Sequence, residues 1–161
     1  MADTGGVEFV PALTGLGAPH WAPNARGEIT GLTRGTTKAH IARATLESMA
    51  LQNADILKAM EKDLKKKIKV LRVDGGASKN NLLMQLQADY LQARVDRPQQ
   101  IETTAIGAAY LAGIGYGHWK NVNEIKKIWR KDCEFKPALG KKALALRLVR
   151  WNKVIAKAKI V

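Results

Sequence analysis

Residues 68–81, Ile-Lys-Val-Leu-Arg-Val-Asp-Gly-Gly-Ala-Ser-Lys-Asn-Asn, leave this chain few ways to fold. Ile68, Val70, Leu71 and Val73 read as a buried strand, and Asp74-Gly75-Gly76 ends it ahead of a helical pattern that begins near Ser78. Two glycines remove side-chain bulk where the chain reverses, so a ligand is able to approach the backbone, while Ser78 or Asn80 is placed to cap the next helix. N–H groups at such a helix start favour an anion or a nucleotide. The same residues equally describe a tight turn that binds nothing.

The flanking segments repeat the strand–helix alternation. Residues 7–10 form a short strand ended by Pro11, residues 28–33 suggest a second, and residues 1–6 are a polar lead-in expected not to pack. Residues 14–21 are too rich in Gly and Pro for regular structure, so a loop pinned by burial of Trp21 is expected. His20 in that loop shows no acidic partner in the sequence and reads as a packing or exposed residue rather than a base. From Thr36 to about residue 62, Ile41, Thr45, Met49, Ile56 and Met60 recur on one stripe of a helix about 38 Å long, with Leu46, Asn53 and Leu57 beside it.

Residues 79–91 give another helix, with Leu82, Leu83, Leu86 and Tyr90 facing the core, and residues 93–97 give a strand ended by Pro98. Residues 103–113 carry small side chains at Ala105, Ala108, Ala109 and Ala112, which suit close packing on a neighbour. Trp119, Ile125, Ile128 and Trp129 suggest a further helix, Phe135 and Pro137 a crossing segment, and residues 138–161 a basic C-terminal helix with Leu144, Leu148, Trp151 and Ile155 inward. The order predicts an α/β fold with parallel strands, packed helices and right-handed crossovers.

With 161 residues and 46% apolar content, the chain is long enough for one core. No run of eighteen apolar residues and no signal-peptide pattern is present, so a soluble cytoplasmic protein without a membrane partner is expected. Cys133 is the single cysteine and reads as a free thiol. Residues 120–161 hold thirteen Lys or Arg against Glu124, Asp132 and Glu134, ten of the thirteen net positive charges. These cations are spread among apolar residues with no compact nucleic-acid motif, so a solvated face is expected rather than a nucleic-acid interface.

Taken together, residues 72–81 closely resemble the adenosine-binding strand–loop–helix of carbohydrate kinases with the actin-like ATPase (ribonuclease H-like) fold, the glycerol kinases among them. The resemblance continues in order through Gly6-Val-Glu-Phe-Val-Pro-Ala-Leu-Thr-Gly-Leu-Gly-Ala-Pro-His-Trp21, Ala25-Arg-Gly-Glu-Ile-Thr-Gly-Leu-Thr-Arg-Gly35, His40-Ile-Ala-Arg-Ala-Thr-Leu-Glu47, Leu83-Met-Gln-Leu-Gln-Ala-Asp89 and Glu102-Thr-Thr-Ala-Ile-Gly-Ala-Ala-Tyr-Leu-Ala-Gly113. It is strong over residues 5–120 and weaker beyond. It implies that Gly76 lies against the nucleotide, that Asn80 hydrogen-bonds near the adenine–ribose end, and that Gly75 permits the turn. It also implies ATP and Mg²⁺ as cofactors of the complete enzyme, with in-line phosphoryl transfer to a polyol such as glycerol.

That resemblance assigns no catalytic residue and no metal ligand to this chain, because the family's catalytic aspartate, polyol contacts and phosphate loops precede the block that opens it. The chain is thus expected to be an incomplete C-terminal kinase domain, inactive alone, with the preceding part of the kinase as its natural partner. The family's early strand meander is also missing from it. A bare sheet edge and an uncovered stripe on the long helix are therefore expected, with self-association as the consequence. The alternative is a non-enzymatic binding module whose basic helices hold an acidic protein or nucleic acid. Two departures from the family habit bear on structure: Gln92 stands where glycine is usual, and Ala54 replaces a basic residue, leaving Asp55 without its expected ion-pair partner.

Overall fold

The computed structural model describes residues 3–160. Its elements are β1 (Glu8–Val10), β2 (Glu28–Thr30), α1 (Lys38–Leu64), β3 (Val70–Arg72), a 3₁₀ turn (Gly76–Lys79), α2 (Asn81–Leu91), β4 (Arg94–Pro98), α3 (Thr103–Tyr116), α4 (Val122–Lys126), β5 (Lys131–Phe135) and α5 (Lys141–Ala158). β1 and β2 pair antiparallel, with Phe9 opposite Ile29. The second sheet has the order β3-β4-β5, and β3 and β4 run parallel with Leu71 opposite Val95. The α2 crossover between them is the unit the strand–helix alternation implied. β5 is a departure, since residues expected to form a crossing segment pair antiparallel with β4, placing Phe135 opposite Val95. Lys131, Asp132 and Glu134 hide this strand from a hydropathy reading, and pairing with β4 is what makes it one.

The long helix exists, but it buries a different face from the one its large apolar residues marked. Ala44, Glu47, Ser48, Ala50, Leu51 and Ala54 are buried, whereas Met49, Ile56 and Met60 are 42%, 41% and 46% exposed. Ala44, Ala50 and Ala54 give the buried side little bulk, which suits close packing on a neighbouring element. In α2, Leu83, Met84, Leu86, Gln87 and Tyr90 turn inward, while Leu82, expected in the core, is left partly exposed. The small residues of α3 were expected to pack tightly, yet no residue of that helix is buried.

The core joins Val10, Leu51, Met84, Val95, Phe135 and Trp151, the last fully buried from α5. Arg147, also on α5, is buried with it and donates to Glu47 through Nε at 2.8 Å and to Glu8 through Nη1 at 3.1 Å. Arg43 holds the other Glu47 oxygen at 2.8 Å. One guanidinium thereby ties β1, α1 and α5.

The amino-terminal reading needs two corrections. Residues 1–6 are not wholly a loose lead-in: Thr4 is 3% exposed and its carbonyl accepts from Val7 N–H at 3.0 Å, while Met1 and Ala2 lie outside the described residues. Trp21 does not anchor its loop, being 76% exposed. The anchor is its neighbour, because His20 Nε2 meets Asp55 Oδ2 at 2.9 Å, and Trp151 Nε1 donates to the same oxygen at 2.7 Å. Asp55 is thus partnered despite Ala54, and His20 has the acidic partner that the sequence concealed. Among the described residues no helix is long and apolar enough to cross a membrane.

Candidate functional site

The carboxyl end of β3 turns sharply at Gly75, whose φ of +78° is a conformation that favours glycine. Gly75 N–H donates to Ile101 O at 2.8 Å, and its carbonyl accepts from the buried Ser78 hydroxyl at 2.7 Å. The Thr103 hydroxyl, at the start of α3, bonds the Asp74 carboxylate and ties the turn to the next helix. Of the two candidate caps for α2, Asn80 is the one used, its Oδ1 accepting from Leu83 N–H at 3.1 Å. Its Nδ2 amide remains as a donor on an exposed side chain.

Gly76 differs from Gly75 in its backbone conformation. Its φ is not positive, and a Cβ built on it meets nothing within 4 Å. The chain's own packing accommodates alanine there, so the bare backbone at this point answers no requirement of the fold. Gly75, Gly76 and Asn80 are brought together around one turn at the tip of a parallel strand.

The sequence reading passed over Arg97, which holds this turn from β4. Its Nη1 donates to Ser78 O at 2.9 Å and to Asn81 Oδ1 at 2.8 Å, its Nε donates to Asp132 Oδ2 at 2.9 Å, and its guanidinium lies 5.5 Å from the Phe135 ring centre. The one sequence signal was an arginine inside an otherwise half-buried strand. Two hollows flank the turn. One, of about 490 Å³, lies between Arg72, Thr103, Ile106, Tyr110 and Trp129, with Arg72 stacked 4.6 Å from the Trp129 ring centre. The other, of about 460 Å³, lies between Met49, Ile56, Val73, Asp74 and Ala77. Gly76 and Asn80 line neither.

The strongest electrostatic perturbations belong to the scaffold rather than to the turn. Burial alone would raise the Glu47 carboxyl, but Arg43 and Arg147 hold it below the usual carboxylate range. Burial and the adjacent Glu47 push the Tyr90 phenol well up, so it stays protonated. Burial works against the charge on Arg147, and Glu8 and Glu47 outweigh it, raising its pKa. Among the described residues no three His, Cys, Asp or Glu side chains group as metal ligands.

Comparison with known proteins identifies the family. The profile of the FGGY family of carbohydrate kinases, C-terminal domain, matches residues 1–116. The chain is 64% identical over 152 residues to a glycerol kinase of Bdellovibrio bacteriovorus, covering 94% of this chain and 31% of that protein. It is 55% identical to a glycerol kinase of Dichelobacter nodosus, covering 98% and 32%. The crystal structure of Plasmodium falciparum glycerol kinase with ADP superposes with a TM-score of 0.87 at 35% identity, over 98% of this chain and 32% of that one. Gluconate kinase from Lactobacillus acidophilus superposes at 0.73 with 28% identity. The chain therefore spans about a third of the length of the relatives it matches, and its α/β architecture is that of sugar kinases with the actin-like ATPase fold. On the matched profile, the ordered motifs and the superposition together, this chain belongs to the FGGY family of carbohydrate kinases.

Proposed function

We propose that this chain supplies the adenine-nucleotide wall of an ATP-dependent polyol kinase, with glycerol as the acceptor in the complete enzyme. The observation that carries the reading is the empty approach to Gly76 beside the exposed Asn80 amide, at the tip of a parallel strand. A flat base slides against a residue without Cβ, and the Asn80 Nδ2 donates to an acceptor on the nucleoside. Gly75, Ser78 and Arg97 keep the turn in shape before the nucleotide arrives, so little ordering remains to be done on binding. ATP, when bound, brings the transferable γ-phosphoryl group. The phosphate clamps, the Mg²⁺ ligands and the acceptor of the hydroxyl proton come from the rest of the kinase. Use of ATP and glycerol assigns the assembled enzyme to the cytoplasm.

The test is residue-resolved amide NMR of the chain titrated with millimolar ATP. Shifts confined to Gly76, Asn80 and their neighbours are expected. Gly76→Ala should change folding stability by less than about 0.5 kcal/mol while weakening the nucleotide about tenfold. The rival module reading draws on the outward Lys142, Arg150, Lys153 and Lys157 of α5, all exposed. It predicts shifts along α5 that disappear with added salt and ignore Gly76; that pattern would replace the nucleotide reading.

A further inference from the structure

Helix α5 serves the core with one stripe and carries a second that the core does not use. Arg147, Trp151, Ile155 and Ala158 are buried at intervals of four, four and three residues. On the opposite side Leu146 and Val149 are 61% and 66% exposed, and Ile160, just past the helix end, is 83% exposed. Lys142 and Lys153 fall on the same outward line by helical spacing. Charge on this segment has one sign only: residues 136–160 hold eight Lys or Arg and no Asp or Glu. Lys136 is engaged by Glu134, Arg147 by Glu8 and Glu47, and Arg150 approaches Glu8 at 3.8 Å. Lys141, Lys142, Lys153, Lys157 and Lys159 are exposed and have no ion-pair partner among the described residues. Lys141 and Lys142 even stand in the first turn of α5, the positive end of its dipole, where cations work against the helix.

We propose that the outward face of α5 rests on an anionic lipid bilayer, with Leu146, Val149 and Ile160 at the headgroup–acyl boundary and the unpaired lysines on lipid phosphates. The proposal goes beyond the nucleotide-wall reading and does not depend on it. The sequence pointed away from a membrane partner because it holds no spanning segment, and a helix lying in the plane of the interface needs none. The mixed chemistry of the face selects lipid among polyanions. A nucleic acid meets the lysines but leaves the three aliphatic side chains in water, and Trp151, the one aromatic of α5, is buried and offers no base a stacking surface. A bilayer takes both, since lysine stems run alongside the aliphatic groups and raise their ammonium heads to the phosphates. Lys142, Lys153 and Lys157 are also spread along about 23 Å of helix. Lipid headgroups diffuse to meet cations at any spacing, whereas the carboxylates of an acidic protein stand at fixed positions. A second copy of this chain is excluded by charge, +13 against +13.

The experiment sediments the full chain with vesicles of phosphatidylcholine and phosphatidylglycerol at about 3:1 and with vesicles of phosphatidylcholine alone. Binding to the first and none to the second is expected. Lys153→Glu together with Lys157→Glu should weaken it at least about tenfold. Leu146→Ser together with Val149→Ser should weaken it by about the same factor, because the aliphatic groups enter the bilayer. All four side chains are exposed, so neither pair should shift the melting point of the chain. Lys153→Gln with Lys157→Gln carries the charge test if the glutamates destabilise the helix. The proposal is overturned by absence of binding to the anionic vesicles, by binding that ignores both pairs, or by an equal loss when Lys65 and Lys66 are replaced by Gln instead. It is overturned as well by binding that responds to the lysine pair and not to Leu146 and Val149, as bare attraction to a polyanion would, or by polyglutamate or oligothymidylate held through the same four side chains.

Discussion

Arg147 reaches carboxylates 139 and 100 residues away, Glu8 and Glu47, with both partners as buried as itself. No spacing in the sequence announces such a pairing. Arg147→Ala would strand two buried carboxylates and should cost about 3–5 kcal/mol, read as the shift in a urea unfolding curve. The pH dependence carries the same signature. The folded Glu47 carboxyl lies below its unfolded value, so on acidification the unfolded chain takes up the proton first. Its stabilisation is complete above the ordinary carboxylate pKa and drains away as pH falls through the lower folded value. Thermal melting between pH 7 and pH 3 should show this acid limb, and Glu47→Gln should flatten it. At the turn, by contrast, the residues were legible beforehand: a glycine pair after an apolar run and an asparagine at the helix start name Gly75, Gly76 and Asn80. Arg97 was not, because a clamp is defined by what its fork meets.

At the level of elements, helices with strong caps and apolar periodicity were readable, and the faces they bury were not. Helix α2 ends at Gln92, whose φ of +52° and ψ of +36° place a side-chain-bearing residue in the left-handed region. Gln92 offsets part of that strain by donating from Nε2 to Asp89 O at 2.8 Å and to Leu139 O at 3.2 Å. Gln92→Gly should therefore exceed Gln92→Ala in stability by about 1 kcal/mol in chemical denaturation, since both variants lack those bonds and only the glycine escapes the Cβ clash. α1 shows why faces are harder than elements. Met49, Ile56 and Met60 look outward while the small Ala50 and Ala54 are buried, and the buried Glu47 is neutralised from α5. Hydropathy ranks side chains one at a time and is blind to both.

For the whole molecule, the proposed function makes the turn and its Arg97 clamp one wall of a nucleotide cleft. Phosphoryl transfer needs in-line positioning and charge stabilisation from groups that face the γ-phosphate, and the proposed nucleotide contacts here are a bare glycine backbone and one amide. Purified chain alone should show no ATP-dependent glycerol phosphorylation above a Gly76→Trp control in a coupled assay, and turnover above that control would refute the division of labour proposed here.

From the sequence alone came the class of fold, the strand–turn–helix that carries the candidate site and the family resemblance, because these rest on local periodicity, on turn chemistry and on motifs contiguous along the chain. Tertiary structure decided the rest: the antiparallel β5, the inward face of α1, the His20–Asp55–Trp151 tether and the Arg147 network. Each depends on groups far apart in the chain meeting at contact distance, and hydrogen bonds, ion pairs and close packing act only over that distance.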